Sequence, residues 1–202
     1  MAATDSLRRI RLLLWTLVAI AALAGAWFWL ISPRLDQLAQ SGTDHLGRGA
    51  YNLQTTEGSP FTQDSLKGQP SAVFFGFTHC PDVCPTTLGE VAGWQDRLKQ
   101  QGKELRVFFV TVDPERDTLD KLRDYVSWAP GVTGVTGPPE EIAKAVKAFR
   151  VYARKVPNDD GYTMDHSAMT LLFDEDGQYS GLIGYQEDPA RSQAALDKLM
   201  GG

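Results

Sequence analysis

An α/β fold, with one mixed sheet between two helical layers and a single membrane-spanning helix ahead of it, is what this sequence predicts. Three observations carry the expectation. An uncharged apolar run lies near the N-terminus. Behind it, short β-branched and aromatic runs alternate with stretches of helical period. The chain's two cysteines fall where the first core strand hands over to the first core helix. With 202 residues, one anchor and one domain of ordinary size account for the whole length.

The run from Leu12 to Ile31 holds 20 residues without a charge. As a helix it is about 30 Å long, one hydrocarbon core. Arg8, Arg9 and Arg11 precede it and Ser32-Pro33-Arg34 follows, so the heavier basic flank is expected in the cytoplasm and the domain outside it. Trp15, Trp27 and Trp29 suit the two interfacial belts. A cleaved signal peptide is the rival reading, since Ala22-Leu23-Ala24 and Ala24-Gly25-Ala26 resemble cleavage sites. The run is longer than the usual h-region of about 7–15 residues, which favours an uncleaved anchor. The expected organisation is a cytoplasmic N-terminus over 1–11, an anchor over 12–31, a tether over 32–48 and the domain over 49–202.

Tyr51 to Gln69 reads as a small hairpin turning at Glu57-Gly58-Ser59-Pro60, with a short helix or turn at Gln63-Asp64-Ser65-Leu66. Ser71 to Thr78 is a buried strand. After Pro85, Leu88, Val91, Ala92 and Leu98 share a helix face that Lys99 and Lys103 close. Leu105 to Val112 is the second buried strand, and a loop from Asp113 to Thr118 leads to a helix over Leu119 to Trp128. Pro138 opens a helix over Pro139 to Phe149, and Tyr152 to Val156 is a short strand. Met169 to Phe173 and Tyr179 to Ile183 pair through the turn Asp174-Glu175-Asp176-Gly177. A helix over Pro189 to Met200 ends the chain. After the first hairpin the order is β-α-β-α-(α)-β-β-α, the thioredoxin-like arrangement of a three-layer sandwich with a mixed sheet.

Net charge is −5, and setting aside the N-terminal arginines makes the domain more acidic still. That excludes a nucleic-acid footprint and an anionic lipid surface. It permits a cationic partner.

Cys80 and Cys84 stand in His79-Cys80-Pro81-Asp82-Val83-Cys84-Pro85. A structural disulfide is the ordinary reading of two cysteines in an oxidising compartment. So short a loop removes little entropy from the unfolded chain, so a labile or metal-binding pair explains it better. In a helical turn the two sulfurs lie one above the other and converge on one ion. A helix N-terminus favours thiolate, the species that binds metal or attacks a disulfide. His166, in Met164-Asp165-His166-Ser167, is the candidate third donor, placed just before a strand where loops gather. Two sulfurs and one nitrogen leave zinc one ligand short of a tetrahedron and satisfy three-coordinate Cu(I), so copper is the better match.

Phe75-Gly76-Phe77-Thr78-His79-Cys80-Pro81-Asp82-Val83-Cys84-Pro85 resembles the signature of the SCO/SenC family. So do Val112-Asp113-Pro114-Glu115-Arg116-Asp117-Thr118 and Asp165-His166-Ser167 followed by Leu171-Leu172-Phe173-Asp174-Glu175-Asp176-Gly177. The three blocks run in order between about Gly49 and Gln186, behind a single-span anchor that the family also has. The resemblance implies a thioredoxin-like domain that binds one copper ion through Cys80, Cys84 and His166. It implies a metallochaperone and thiol reductant serving the binuclear copper centre of cytochrome c oxidase subunit II. A single-pass inner-membrane protein with a periplasmic domain is expected, acting as a monomer, with another copper chaperone as a possible donor. Whether it is also an enzyme, a thiol–disulfide oxidoreductase reducing the oxidase's cysteines through Cys80 and Cys84, stays open.

Around this set stand weaker candidates. Asp113, at the end of the second core strand, is an outer group, a fourth oxygen ligand for Cu(II), or a turn cap before Pro114. Asp165 either orients His166 or serves its own turn. His79 is expected to project away from Cys80, and His45 to be solvated in the tether. Met164 and Met169 read as core filler before copper path. Asp82 and Val83 face outward between the cysteines, where a partner can touch them.

Overall fold

The computed structural model describes residues 11–29, 45–159 and 161–201. The flanking arginines Arg8 and Arg9, most of the expected tether and the segment around Pro33 lie outside them. Arg11–Trp29 forms one helix, α1, of 19 residues with mean hydropathy 2.0, long and apolar enough to cross a membrane. Residues 45–201 belong to a separate compact unit. Its packing begins ahead of Gly49: Leu46 is buried, Gly47 N–H donates to Ala148 O, and Tyr51 Oη donates to Gly47 O.

The first hairpin is β1 (Leu53–Thr55) and β2 (Pro60–Phe61), followed by a 3₁₀ turn at Gln63–Leu66 that Thr62 caps. Then come β3 (Ser71–Gly76), α2 (Val83–Gln100), β4 (Arg106–Thr111), α3 (Leu119–Val126), β5 (Val132–Thr136) and α4 (Pro139–Ala148). The chain ends with β6 (Ala153–Asn158), β7 (Gly161–His166), β8 (Met169–Phe173), β9 (Tyr179–Gly184) and α5 (Pro189–Leu199).

Seven strands form one sheet in the order β2-β1-β5-β4-β3-β8-β9. β3, β4 and β5 are parallel; β1 joins antiparallel on β5, and β8 antiparallel on β3. The sheet is mixed, as expected. Every residue of β3 is buried, as a strand covered on both faces requires. Alternate residues address the two helical layers. Phe74 and Gly76 face the side where Phe109 meets Tyr125 of α3 and Cys84 of α2 sits. Phe75 faces the other side and packs at a tilt against Phe149, directly after α4, which in turn meets Phe173 edge-on.

The helix ends follow local chemistry. α2 stops in a Schellman arrangement: Lys103 N–H reaches Leu98 O, Gly102 N–H reaches Lys99 O, and Gly102 adopts φ +72°. Thr118 caps α3, and Asp188 caps α5 ahead of Pro189. Of the helix face expected after Pro85, Leu88, Val91 and Leu98 are buried with Trp94, whereas Ala92 is only half-buried.

Two strands escaped the sequence reading. β5 is framed by Pro130-Gly131 and Gly137-Pro138-Pro139 and carries Gly134 at its centre, all turn signals. The glycine is there because a Cβ would meet Thr56 Cγ2 at 2.8 Å and Leu122 Cδ2 at 3.3 Å. β7 pairs with β6 in a two-stranded ladder outside the main sheet, half-exposed, so its residues show no buried alternation. The consequence is a correction for His166. It lies just before β8, as expected, but as the last residue of β7, opposite Ala153, rather than in a loop.

Candidate metal centre

The site forms where β3 ends. After Phe77 the chain turns tightly: Cys80 N–H donates to Phe77 O at 3.2 Å, and α2 begins at Val83. Cys84 is therefore inside the first turn of the helix, while Cys80 lies in the turn before it. The expectation that both cysteines stack within one helical turn is corrected accordingly. The sulfurs approach because Cys80 Sγ accepts the Cys84 N–H at 3.4 Å. The first amides of a helix have no intrahelical acceptor, and here a sulfur takes one of them. Asp82, at the N-cap position, makes no side-chain cap bond that would compete.

His166 arrives from the far half of the chain. Its Nε2 lies 3.8 Å from Cys84 Sγ. Its Nδ1 faces the Ser167 carbonyl oxygen at 3.0 Å, which leaves Nε2 as the atom presented to the sulfurs. The ring also stands edge-on to Phe77, with centroids 5.7 Å apart. One donor atom from each of Cys80, Cys84 and His166 falls within 4.8 Å of the others, the one such group found among the described residues. Both thiols are free.

The two sulfurs differ. Cys84 is fully buried, and Cys80 is partly exposed. The Cys80 thiol is pulled down to about 4, chiefly by the hydrogen bond from Cys84, with help from His166 and the amides of Cys84 and Asp82, against the opposing effect of burial. Cys84 is pushed the other way by that same hydrogen bond, by burial and by the negative charges of Cys80 and Asp117. The resting pair is a thiolate at Cys80 and a thiol at Cys84.

Gly76, below the pair, has no room for a side chain: a Cβ would sit 2.8 Å from Cys84 Sγ and 2.8 Å from Phe109 Cε2. Asp117 escaped the sequence reading as an individual residue. It is wholly buried, and its carboxylate accepts Thr78 Oγ1 (2.6 Å), Thr78 N–H (3.0 Å) and Thr111 Oγ1 (2.6 Å). It ties the turn that carries Cys80 to the end of β4. A buried Asp whose partners come from two distant segments leaves no local mark in a sequence. Tyr125 was also missed; burial raises its phenol above the usual range, and the negative charges of Cys84, Cys80 and Asp117 add to the rise.

The remaining candidates fall around the trio. Asp113 is buried but is not brought into the group: Arg116 Nε pairs with its Oδ2, and Tyr162 Oη donates to its Oδ1 at 2.9 Å. Asp165 is exposed, on the strand face opposite its neighbour His166, whose Nδ1 is met by the Ser167 carbonyl instead. His79 turns from the sulfurs toward Thr78 Oγ1, at 3.1 Å, and Asp117. His45 is exposed. Met164 lines a cavity of about 300 Å³ with Asp113, Ile142 and Val146, and Met169 packs against the core. Asp82 is exposed and Val83 half-buried beside the pair.

Comparison with known proteins places the chain in one family. The model of the SCO1/SenC family matches residues 39–201. ScoI from Bradyrhizobium japonicum, solved with copper bound, is 41% identical over 75% of this chain and 99% of its own, with a TM-score of 0.67. Arabidopsis thaliana ScoI, also with copper bound, is 32% identical over 76% of this chain and 99% of its own, with a TM-score of 0.71. Among curated proteins, the mitochondrial SCO2 of Saccharomyces cerevisiae is 35% identical over 156 residues, 75% of this chain and 51% of that protein. The chain thus spans about half the length of the first curated relatives it matches. A matched family model over four-fifths of the residues, on a fold shared with copper-bound neighbours, settles the assignment: the chain belongs to the SCO1/SenC family.

Proposed function

We propose that this chain is a copper metallochaperone that holds one copper ion as cargo between Cys80 Sγ, Cys84 Sγ and His166 Nε2. The observation that carries the reading is the convergence of these three soft donors within 4.8 Å at the end of a parallel strand. Two sulfurs and one nitrogen match the softness and the low coordination number of Cu(I) and leave zinc a ligand short. Copper binding by the ScoI relatives supports the same choice. Cys80 is already a thiolate; binding releases the one proton that Cys84 keeps. Delivery proceeds by ligand exchange, in which incoming thiolates of a partner replace Cys80 first, because it is the exposed sulfur. The family resemblance points to cytochrome c oxidase subunit II as acceptor and to another copper chaperone as donor. α1 would hold the domain, as a monomer, at the periplasmic face of the inner membrane.

The test is a Cu(I) titration of the reduced chain against a chelator of known affinity, with X-ray absorption of the loaded form. One tight site with two sulfurs and one nitrogen is expected, together with a large loss of affinity in His166→Ala. Unchanged affinity and stoichiometry in that variant would remove His166 from the site.

A second reading rests on the asymmetry of the sulfurs: an exposed thiolate backed by a buried thiol is also the layout of a thiol–disulfide oxidoreductase. Cys80 thiolate attacks a partner disulfide, forming a mixed disulfide and expelling one partner thiolate. Cys84 then loses its proton, attacks Cys80 Sγ and expels the second. Two electrons pass to the partner, and the chain keeps a Cys80–Cys84 disulfide. If Cys80→Ser still reduces a disulfide of the oxidase copper site, this reading fails. Both activities use the same sulfurs, so metal loading should protect them from alkylation; rapid alkylation of the loaded chain would separate the two roles.

A further inference from the structure

His166 rides on an element that shares no ladder with the main sheet. The β6–β7 pair must therefore be located by other means, and the structure shows how. From the Asp113–Asp117 loop, Arg116 reaches the pair: its Nη1 donates to Tyr162 O at 3.0 Å, and its guanidinium carbon lies 3.8 Å from the Tyr162 ring centroid. Tyr162 Oη donates to Asp113 Oδ1 at 2.9 Å, and Asp113 is itself paired with Arg116 Nε. Lys155 closes the far side, with its ammonium 3.9 Å from the same ring and 2.7 Å from Glu115 Oε2. The Tyr162 ring is held between two cations, and its hydroxyl is hydrogen-bonded to a buried carboxylate.

Tyr162 and His166 are four residues apart on one strand, so they share a face and lie about 13 Å apart. Asp113 and Arg116 belong to the loop whose other end, Asp117, holds the Cys80 turn. One loop thus fastens both halves of the trio. We infer that Tyr162, clamped by Asp113 and Arg116, is the positioning residue that sets the reach of His166 Nε2 toward the sulfurs. The inference rests on the reading of His166 as a metal donor.

The test is a double-mutant cycle on the full-length reduced chain in detergent. Tyr162→Phe removes the hydroxyl and keeps the ring. It should weaken Cu(I) binding roughly three- to tenfold, the range of one ordinary net hydrogen bond. It should also reduce the nitrogen contribution in X-ray absorption. The Cys80–Cys84 reduction potential of the metal-free chain should move no further than it does in His166→Ala, because the clamp reaches the sulfurs only through the imidazole. In a His166→Ala background Tyr162→Phe should cost nothing further. Arg116→Lys, which keeps the charge but loses the planar fork, should behave in the same way and guards against an uninformative fold defect in the first variant. An equal loss with and without His166, or no loss in either variant while His166→Ala weakens binding, overturns the inference. If His166→Ala itself changes nothing, the metal-donor reading has failed instead.

Discussion

Cys80 sets the chemistry at the scale of single residues. Its proton is displaced because the folded site offers the sulfur two N–H groups and the neighbouring thiol, none of which it has in the unfolded chain. Below about pH 4 the thiol is protonated in both states and contributes nothing. From there to its unfolded value near 9, the unfolded chain binds a proton that the native one does not, so stability rises with pH. Cys84 acts with the opposite sign above that range: the unfolded chain loses a proton that the native thiol keeps, and stability falls. Iodoacetamide labelling of the reduced, metal-free chain, followed by mass spectrometry, should therefore modify Cys80 at a rate already near its plateau at pH 6. The rate should drop only toward pH 4, with Cys84 protected. Gly76 offers a second test at this scale. In Gly76→Ala the new methyl meets Cys84 Sγ and the rigid Phe109 ring together. Crowding of this kind costs about 1–3 kcal/mol, which chemical denaturation would measure, and Cu(I) affinity should fall with it.

Elements position these residues through their ends. Strand β3 delivers the chain to the C-terminal end of the parallel strands, the turn after Phe77 reverses it, and the first amides of α2 receive the Cys80 sulfur. Asp117 fixes that turn to β4. Asp117→Asn replaces a carboxylate that accepts three hydrogen bonds by an amide that brings two donors of its own, so donors face donors. It should lower stability by about 1–3 kcal/mol in thermal unfolding and should broaden the metal-site spectrum. Unaltered stability and spectra would mean that the turn holds itself. The expectation of a single helical turn carrying both cysteines failed at this same scale. The residues between the cysteines include Pro81 and the uncapped Asp82, which place the helix start at Val83. Spacing alone does not tell a turn followed by a helix from a helix throughout.

At the scale of the molecule, the chain separates into an apolar helix and a domain with its own core. The buried core runs from Leu46 to Leu199, within the second unit. A chain beginning at His45 should remain soluble, unfold in one cooperative transition and bind Cu(I) as the longer chain does; aggregation or lost binding would show that the N-terminal segment contributes to the fold. The alternation of buried runs and helical periods was legible along most of the domain, because the strands that carry the core are written in Phe, Val and Leu. β5 and β7 were not: one is built around glycine where α3 and Thr56 press on the backbone, and the other is held by side-chain clamps outside the core. The two cysteines and the imidazole could be singled out as soft donors by residue type and motif. Their soft-metal character and the apolar helix ahead of the domain are thus properties of local composition, which a sequence carries directly. That Cys80 and not Cys84 bears the charge, that Asp113 is spent on Arg116 and Tyr162, and that the Ser167 carbonyl rather than Asp165 meets the imidazole were decided only by the tertiary structure. Each depends on which distant groups meet, and those meetings are set by strand order and helix ends, which leave no periodic trace along the chain.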